Sequence, residues 1–444
     1  MAAPLVAGMI FQTLYYFVDL YFVAQLGDVA IAGVSAAGNT TFIVFALTQV
    51  LGVGAVALIS QAVGRKDQPE ANLIFNQSLL LAALFVAITL IGCYSLSDYY
   101  LRSVTANMES ARAGATYLHW FAPGLALQFA LVVMGSALRA TGIVQPTMVV
   151  QVVTLLLNAL LAPVLIAGWG THHPLGVAGA GLASSIAIAV GVIMLGLYFV
   201  RIEKYVAFHA EQWRPRLATW KRMLLVGLPA GGEFALIFLN TAVTYWAIRS
   251  FGSAAQAGYG IGSRILQGIL VPALAIGIAS APIVGQNFGA GQPARVRATF
   301  QQATVMSSAL MLALTVICQW SPELLVHVFA RDAEVVRVAA LFLRVASLGF
   351  VTQGVIFGCS SVFQGLGNTL PSIASSGART TLYVLPTIWL STQPFFRLEY
   401  VWYWSIGTTC VQTIGSLLLL KRELRIRLGP LESASEPPVL QVSA

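Results

Sequence analysis

Residues 52–67 read GVGAVALISQAVGRKD, and residues 277–292 read GIASAPIVGQNFGAGQ. A shift of 225 residues carries Gly52 to Gly277, Gln61 to Gln286 and Gly64 to Gly289. Outward from these stretches, the same shift carries Pro4 to Pro229, Gly27 to Gly252, Ala32 to Ala257 and Gly33 to Gly258. It also carries Cys93 to Cys318, Gly142 to Gly367 and Pro146 to Pro371, and it places Thr244 where the first half has Asp19. No gap is needed, so two half-chains share one plan. Mostly Gly and Pro persist because they fix backbone geometry, whereas the other side chains have diverged. Repeated hydrophobic segments are the mark of secondary transporters, whose substrate site lies between the repeats.

Only 9% of the 444 residues are charged and 58% are apolar, with a mean hydropathy of +0.81. A soluble domain carries about 25% charged residues. Residues 140–200 contain no Asp, Glu, Lys or Arg, which is enough chain for two spans of about 20 residues and a loop. A span must satisfy its backbone internally, as a helix or a closed barrel. The apolar runs are continuous and lack the alternating decamers of a barrel. The fold class is therefore an all-α membrane protein with twelve transmembrane helices in two pseudo-symmetric six-helix lobes. Helices are predicted near 4–26, 38–63, 72–96, 115–137, 147–168, 177–200, 223–249, 258–287, 299–320, 338–361, 371–391 and 400–420. The charged segment 201–222, RIEKYVAFHAEQWRPRLATWKR, reads as a cytoplasmic connector between lobes 1–200 and 223–420, and 421–444 reads as a cytoplasmic tail.

Lys and Arg are retained on the cytoplasmic side. With both termini inside, the inner loops and tail collect Arg65, Lys66, Arg139, Arg201, Lys204, Arg214, Arg216, Lys221, Arg222, Arg295, Arg297, Lys421, Arg422, Arg425 and Arg427. The outer loops hold fewer: Arg102, Arg112, Arg249, Arg331, Arg337 and Arg397. Both termini are thus predicted to be cytoplasmic. The net charge of +8 reflects topology and contact with anionic membrane lipids, and no aromatic-basic motif supports a nucleic-acid partner. Cys93, Cys318, Cys359 and Cys410 lack metal or redox spacing and read as packing residues. His172 and His173 have no third ligand nearby, so neither a metal nor a cofactor is expected. GVSAAG at 33–38 lacks the strand-to-helix context of a serine nucleophile and reads as helix packing. Without a nucleophile–base or metal constellation, the chain does not read as an enzyme.

Asp19 lies within the first span, MIFQTLYYFVDLYFVAQLG at 9–27. An intramembrane carboxylate is costly unless it faces a polar cavity, and is a functional candidate by default. Gln12, Tyr15, Tyr16 and Asp19 share one helical face. In the seventh span Glu233, Asn240, Thr241 and Thr244 form a similar stripe. Glu233 is read as a substrate contact for cations, with solvation or pairing to Arg222 as the plain alternative. Arg264, Arg344 and Arg379 are expected to pair with acids or helix-end carbonyls, or to snorkel. Tyr15, Tyr16, Tyr245 and Trp246 offer faces for flat cations.

These features together resemble the multidrug and toxic compound extrusion (MATE) family over residues 1–420. The carrying residues are Pro4, Gln12, Tyr15, Asp19 and Gly27, then DVAIAGVSAAGN at 28–39 and the paired stretches quoted above. ALRATG at 137–142 is matched by VFQGLGNT at 362–369, and GLPAGGE at 227–233 opens the second lobe. The resemblance implies a V-shaped MATE-like fold and export of organic cations against inward H⁺ or Na⁺. It implies that Asp19 is the coupling acid, Gln12 and Tyr15 its cavity neighbours, and Asn158 the family's fifth-helix Asn. In the family that Asn is followed after three residues by Asp and Pro; here Ala162 stands before Pro163. The family's seventh-helix Glu falls eight residues after its Pro, at Ile237 here, one turn beyond Glu233.

A hard cation such as Na⁺ gives up its hydration only for an equivalent oxygen shell. Asp19, the Asn158 amide and the Ser184 hydroxyl are few for a cage but ample for one protonating carboxyl. The expectation is an inner-membrane, multi-pass H⁺ antiporter, monomeric, exporting amphipathic cationic compounds. Its ion-coupling residues are Asp19, Asn158 and Ser184, and its substrate-binding residues are Gln12, Tyr15, Tyr16, Glu233, Asn240 and Thr244. The alternatives are Na⁺-coupled multidrug efflux and a flippase for lipid-linked precursors, which would want a strongly cationic cavity.

Overall fold

A computed structural model describes residues 2–435 except Ala106 and Thr171; the side chains of Ala2, Thr13, 16–20 and 433–435 lie outside the described residues. Every long regular element among the described residues is an α-helix. The first half contains α1 (Ala2–Ala24), α2 (Asp28–Gly64), α3 (Gln68–Val104), α4 (Met108–Thr141), α5 (Gln145–Ile166) and α6 (Val177–Arg201). The second contains α7 (Leu217–Ile248), α8 (Ser253–Gly289), α9 (Pro293–Trp320), the short α10 (Pro322–His327), α11 (Ala333–Ser347), α12 (Phe350–Gly365), α13 (Leu370–Ser391) and α14 (Leu398–Ser435).

The 225-residue shift carries the first residues of α2, α3, α4 and α5 onto those of α8, α9, α11 and α13. The stop and start signals recur with it. Asn107 caps α4 by accepting from the Ser110 amide at 2.8 Å; its counterpart Asp332 caps α11 by accepting from the Glu334 and Val335 amides. Such caps satisfy amides that the helix itself cannot. Gly142 and Gly367 end α4 and α12 region alike, at φ +95° and +74°. After each, the next amide reaches back across the turn, Ile143 to the Leu138 carbonyl at 2.8 Å and Asn368 to Phe363 at 3.0 Å. This closure needs a left-handed residue, and glycine supplies it without a Cβ clash. The repeat therefore persists where backbone geometry demands it.

One difference between the halves has a local cause. The second copy of α4 is broken into α11 and α12 with a 55° bend. The break lies around Leu348, whose counterpart in α4 is Pro123. In α4 the proline leaves the His119 carbonyl without its helical donor, and the Tyr94 phenol donates to it at 3.2 Å.

Eight helices among the described residues are long and apolar enough to cross a membrane, nine with the bent α11–α12 pair taken as one span. α1, α13 and α14 also have the length, at 23, 22 and 38 residues. The polar side chains of α13, Arg379 among them, and the charged end of α14 dilute their hydropathy. With α11–α12 as one broken span, each half supplies six long helices, in agreement with the predicted twelve.

Two compact units divide the chain inside α7, between Gly231 and Gly232, with Gly64–Lys66 grouped in the second. The connector is fastened to the first unit along a polar ladder on α3. Asn72 Oδ1 accepts from the Ala207 amide at 2.7 Å, Asn76 Oδ1 from the His209 amide at 3.0 Å, and Gln77 Oε1 from the Arg216 amide at 2.8 Å. Their side-chain amides donate in turn to the carbonyls of Tyr205, Ala207, Gln212 and Arg214. Val206 is thereby sealed into the first core. The predicted tail also differs, because α14 continues as helix to Ser435. Leu428, 0% exposed, packs with Phe363, Leu366 and Leu420, while Asn368 donates to Glu423 at 2.9 Å. Burial of one face carries the helix through its basic residues.

Candidate functional site

Ser184 and Ser185 are adjacent on α6, so their side chains leave the helix about 100° apart. Ser185 joins α6 to α4. Its Oγ donates to the Trp120 carbonyl at 2.6 Å and accepts from the Gly124 amide at 3.1 Å, standing in for a helical bond beside Pro123. The approach is close because Gly124 and Gly181 are bare: a Cβ on either would fall within about 2.6 Å of the opposing backbone. With α6 held against α4, Ser184 faces α5.

There Asn158 donates to Ser184 Oγ at 3.1 Å and to Tyr15 Oη at 3.2 Å. Three helices thus meet in one polar cluster, with Asn158 0% and Ser184 1% exposed. The second Asn158 amide atom, Oδ1, is buried and has no hydrogen-bond partner among the described residues. An orphaned acceptor at such depth is costly. Asp19 belongs to α1 one turn beyond Tyr15, the spacing that puts two residues on one face. The side chains of Asp19 and Tyr16 lie outside the described residues. Gln12 is exposed on α1, and Ala162, at the family's second acid position, is fully buried. The sequence-predicted residues Tyr15, Asn158 and Ser184 are therefore brought together. Ser185 was missed, although its place beside Pro123 depends on a contact that no local pattern records.

In the second unit the stripe on α7 turns inward. Asn240 donates to Thr380 Oγ1 at 3.1 Å, and Thr244 Oγ1 bonds the Asn240 carbonyl and the Tyr383 phenol, both at 2.7 Å. Thr244 is only 4% exposed, so it ties α7 to α13 and is not an open substrate contact as expected. Beside this tie Tyr259 stacks on Trp402 with ring centroids 5.3 Å apart and meets Tyr245 and Phe342 edge-on. Trp246, expected to offer a face to cations, carries the Arg249 guanidinium 4.8 Å from its ring and remains exposed.

Glu233 is half-buried on α7, with Oε1 shut off from solvent and unpartnered. The alternative pairing with Arg222 is not formed, because Arg222 binds Glu70 at 3.1 Å. Of the three arginines expected to pair, Arg344 does so with Glu323 at 3.1 Å. Arg379 does not, and its Nε is buried without an acceptor. Cys93, Cys318 and Cys359 are buried in apolar clusters, consistent with packing. Among the described residues no group of three or more His, Cys, Asp or Glu is placed to hold a metal.

The MatE family profile matches residues 4–164 and 229–390, one match in each half. The FAD transporter of Shewanella oneidensis is 23% identical over 394 residues, covering 87% of this chain and 85% of that protein. The probable multidrug resistance protein NorM of Thermotoga maritima is 23% identical over 414 residues, 91% of this chain and 87% of that one. A solved MOP superfamily transporter from Pyrococcus furiosus matches with a TM-score of 0.89 at 22% identity, over 96% of this chain and 95% of that chain.

Proposed function

The chain belongs to the MatE family, and from that membership we propose that it is a secondary antiporter that exports amphipathic, cationic organic compounds in exchange for H⁺. The reading places it in the inner membrane with both termini cytoplasmic, following the distribution of Lys and Arg.

The observation that carries the proposal is the Tyr15–Asn158–Ser184 cluster, in which Asn158 Oδ1 has no partner among the described residues, with Asp19 one helical turn beyond Tyr15 on α1. A protonated carboxyl is a hydrogen-bond donor and an ionised one is not. In this reading the protonated Asp19 carboxyl is a hydrogen-bond donor on the same face of α1 as Tyr15, and protonation removes a charge that a membrane span disfavours. Ionisation would need an opened water path or a bound cation. Proton and cationic drug then compete for one carboxylate, and that competition couples the two fluxes. A membrane potential adds about 2.3 kcal/mol per charge per 100 mV to the driving force.

Proton coupling is favoured over Na⁺ because the oxygen shell is thin. Ala162 contributes no side-chain oxygen, which leaves Asp19, Asn158 and Ser184. Glu233 supplies negative charge in the second unit for the cationic end of a substrate. Uptake of an aromatic monocation into inverted vesicles tests the reading. It should follow an imposed pH gradient and ignore Na⁺ at constant pH, and Asp19→Asn should abolish it at equal expression. Sodium-driven uptake that persists with the pH gradient collapsed would reverse the choice of ion.

A further inference from the structure

After Glu70, α3 runs without a charged residue from 71 to 97, about 40 Å of helix. The hydrocarbon of a bilayer is ~30 Å thick, so with the stretch centred about 5 Å at each end lies among the headgroups. Helical side chains lean toward the N-terminus of their helix, so the amides of Asn76 and Gln77 reach back toward that end of α3. These amides hold the connector. Trp213 donates its indole N–H to Asn76 Oδ1 at 3.0 Å, and Gln77 binds the Arg214 carbonyl and the Arg216 amide, both at 2.8 Å. Residues 213–216 are therefore fixed at the headgroup layer, within about a turn of where the hydrocarbon begins.

The backbone here is tied down, yet the side chains of Trp213, Arg214 and Arg216 are exposed. Neither guanidinium has a carboxylate partner among the described residues. The acids closest in the fold do not answer them. Glu203 accepts the Tyr205 and Val206 amides, and Glu70 binds Arg222. Glu211 makes no ion pair among the described residues. Trp213 is 52% exposed with its indole N–H spent on Asn76, so its ring is what remains open. Leu217, 72% exposed, opens α7 directly after Arg216. Two unpaired cations and two open apolar side chains thus share residues 213–217, at the depth of the lipid phosphates.

We propose that this segment is a docking site for an anionic phospholipid, whose phosphate is held by Arg214 and Arg216 and whose upper acyl chain lies against Trp213 and Leu217. Basic loops are drawn to anionic membranes without any fixed contact; here the polar ladder on α3 holds both arginines and the indole in place before the lipid arrives. A guanidinium matches phosphate oxygens bidentately, and a Trp ring suits the boundary between headgroup and chain. A zwitterionic lipid brings its own cation to the phosphate, whereas an anionic headgroup leaves the negative charge for the arginines. In the proposed topology this is the cytoplasmic leaflet. The contact itself depends neither on that orientation nor on proton coupling through Asp19.

Native mass spectrometry of the purified full-length protein, titrated with phosphatidylglycerol against phosphatidylcholine, tests this. The wild type should retain phosphatidylglycerol in preference. Arg214→Gln and Arg216→Gln should each weaken that retention about fivefold, and each covers the case in which the other does not fold. The Lys variants at both positions should keep most of it, because the charge stays. Arg295→Gln removes the same charge from the start of α9 and should leave retention unchanged. Inorganic phosphate should not compete, since it gains nothing from Trp213 and Leu217. Equal retention by wild type and both Gln variants, or an equal loss in Arg295→Gln, would overturn the proposal. Displacement of the lipid by inorganic phosphate would also overturn it, and would reassign the arginines to a soluble phosphate.

Discussion

The Thr244 hydroxyl lies 2.7 Å from the Tyr383 phenol, and a shift of 225 residues carries that pair back onto Asp19 and Asn158. α5 and α13 begin and end in register under this shift, so the two pairs occupy equivalent places in their halves. In the second unit the contact is between two neutral hydroxyl groups, buried and satisfied. In the first unit the same places carry a carboxyl and an amide. One duplicated pair of positions thus serves as a fixed tie in one half, and in the proposed mechanism as the proton-binding pair in the other.

Asn158→Ala should cost the first unit about 1–3 kcal/mol, because Tyr15 and Ser184 lose a buried partner. Ser184→Ala removes the hydroxyl that accepts from Asn158 but leaves the Asn158–Tyr15 bond, and should cost less, about 0.5–1.5 kcal/mol. Denaturant or thermal unfolding of the purified variants checks the order. If Asn158→Ala matches wild-type stability, the cluster is not the structural centre described above.

The ladder on α3 makes a separate prediction. Asn76 is fully buried and bonds the His209 amide, the Ala207 carbonyl and the Trp213 indole. Asn76→Ala leaves the His209 amide and the Ala207 carbonyl, both only part-buried, without their side-chain partner, and should loosen the connector. Trypsin should then cleave after Arg216 faster than in the wild type. Unchanged cleavage would mean that the connector is held by something other than Asn76.

Glu233→Gln keeps shape and removes charge. In the proposed mechanism it weakens binding of cationic substrates by roughly tenfold while sparing neutral ones, as expected for loss of one ion pair of about 1.4 kcal/mol. Fluorescence titration with a matched cationic and neutral dye pair reads this. Equal losses for both dyes would assign Glu233 to packing.

Much of the fold was legible in the sequence because the repeat survives at residues that set the backbone. Gly142 and Gly367 could be paired from sequence alone, and both adopt the left-handed turn. The end of α14 was not legible, since hydropathy falls at Lys421 while the buried face continues to Leu428. The connector read as a linker from its charge; the signal that it is fastened was the polar series Gln68, Asn72, Asn76 and Gln77 at the start of α3. The candidate site was legible in part. Asn158 and Ser184 meet, whereas Thr244 bonds Tyr383 and Trp246 has Arg249 over its ring. Those outcomes depend on which helix faces which, and a helical stripe does not name its partner. Arg379 was expected to pair with an acid or helix-end carbonyls, or to snorkel, and its buried Nε has no hydrogen-bond partner among the described residues.

The account rests on competition between a proton and a cationic substrate for Asp19. Adding an aromatic monocation such as ethidium to the purified protein in weakly buffered solution, below the pH at which Asp19 ionises, measures that competition directly. The wild type should release about one proton per cation bound, since the charged drug displaces the proton from one carboxyl. Asp19→Asn should release none. Equal proton release by the two proteins, or stoichiometric binding to the wild type with no release at any pH, would contradict the mechanism.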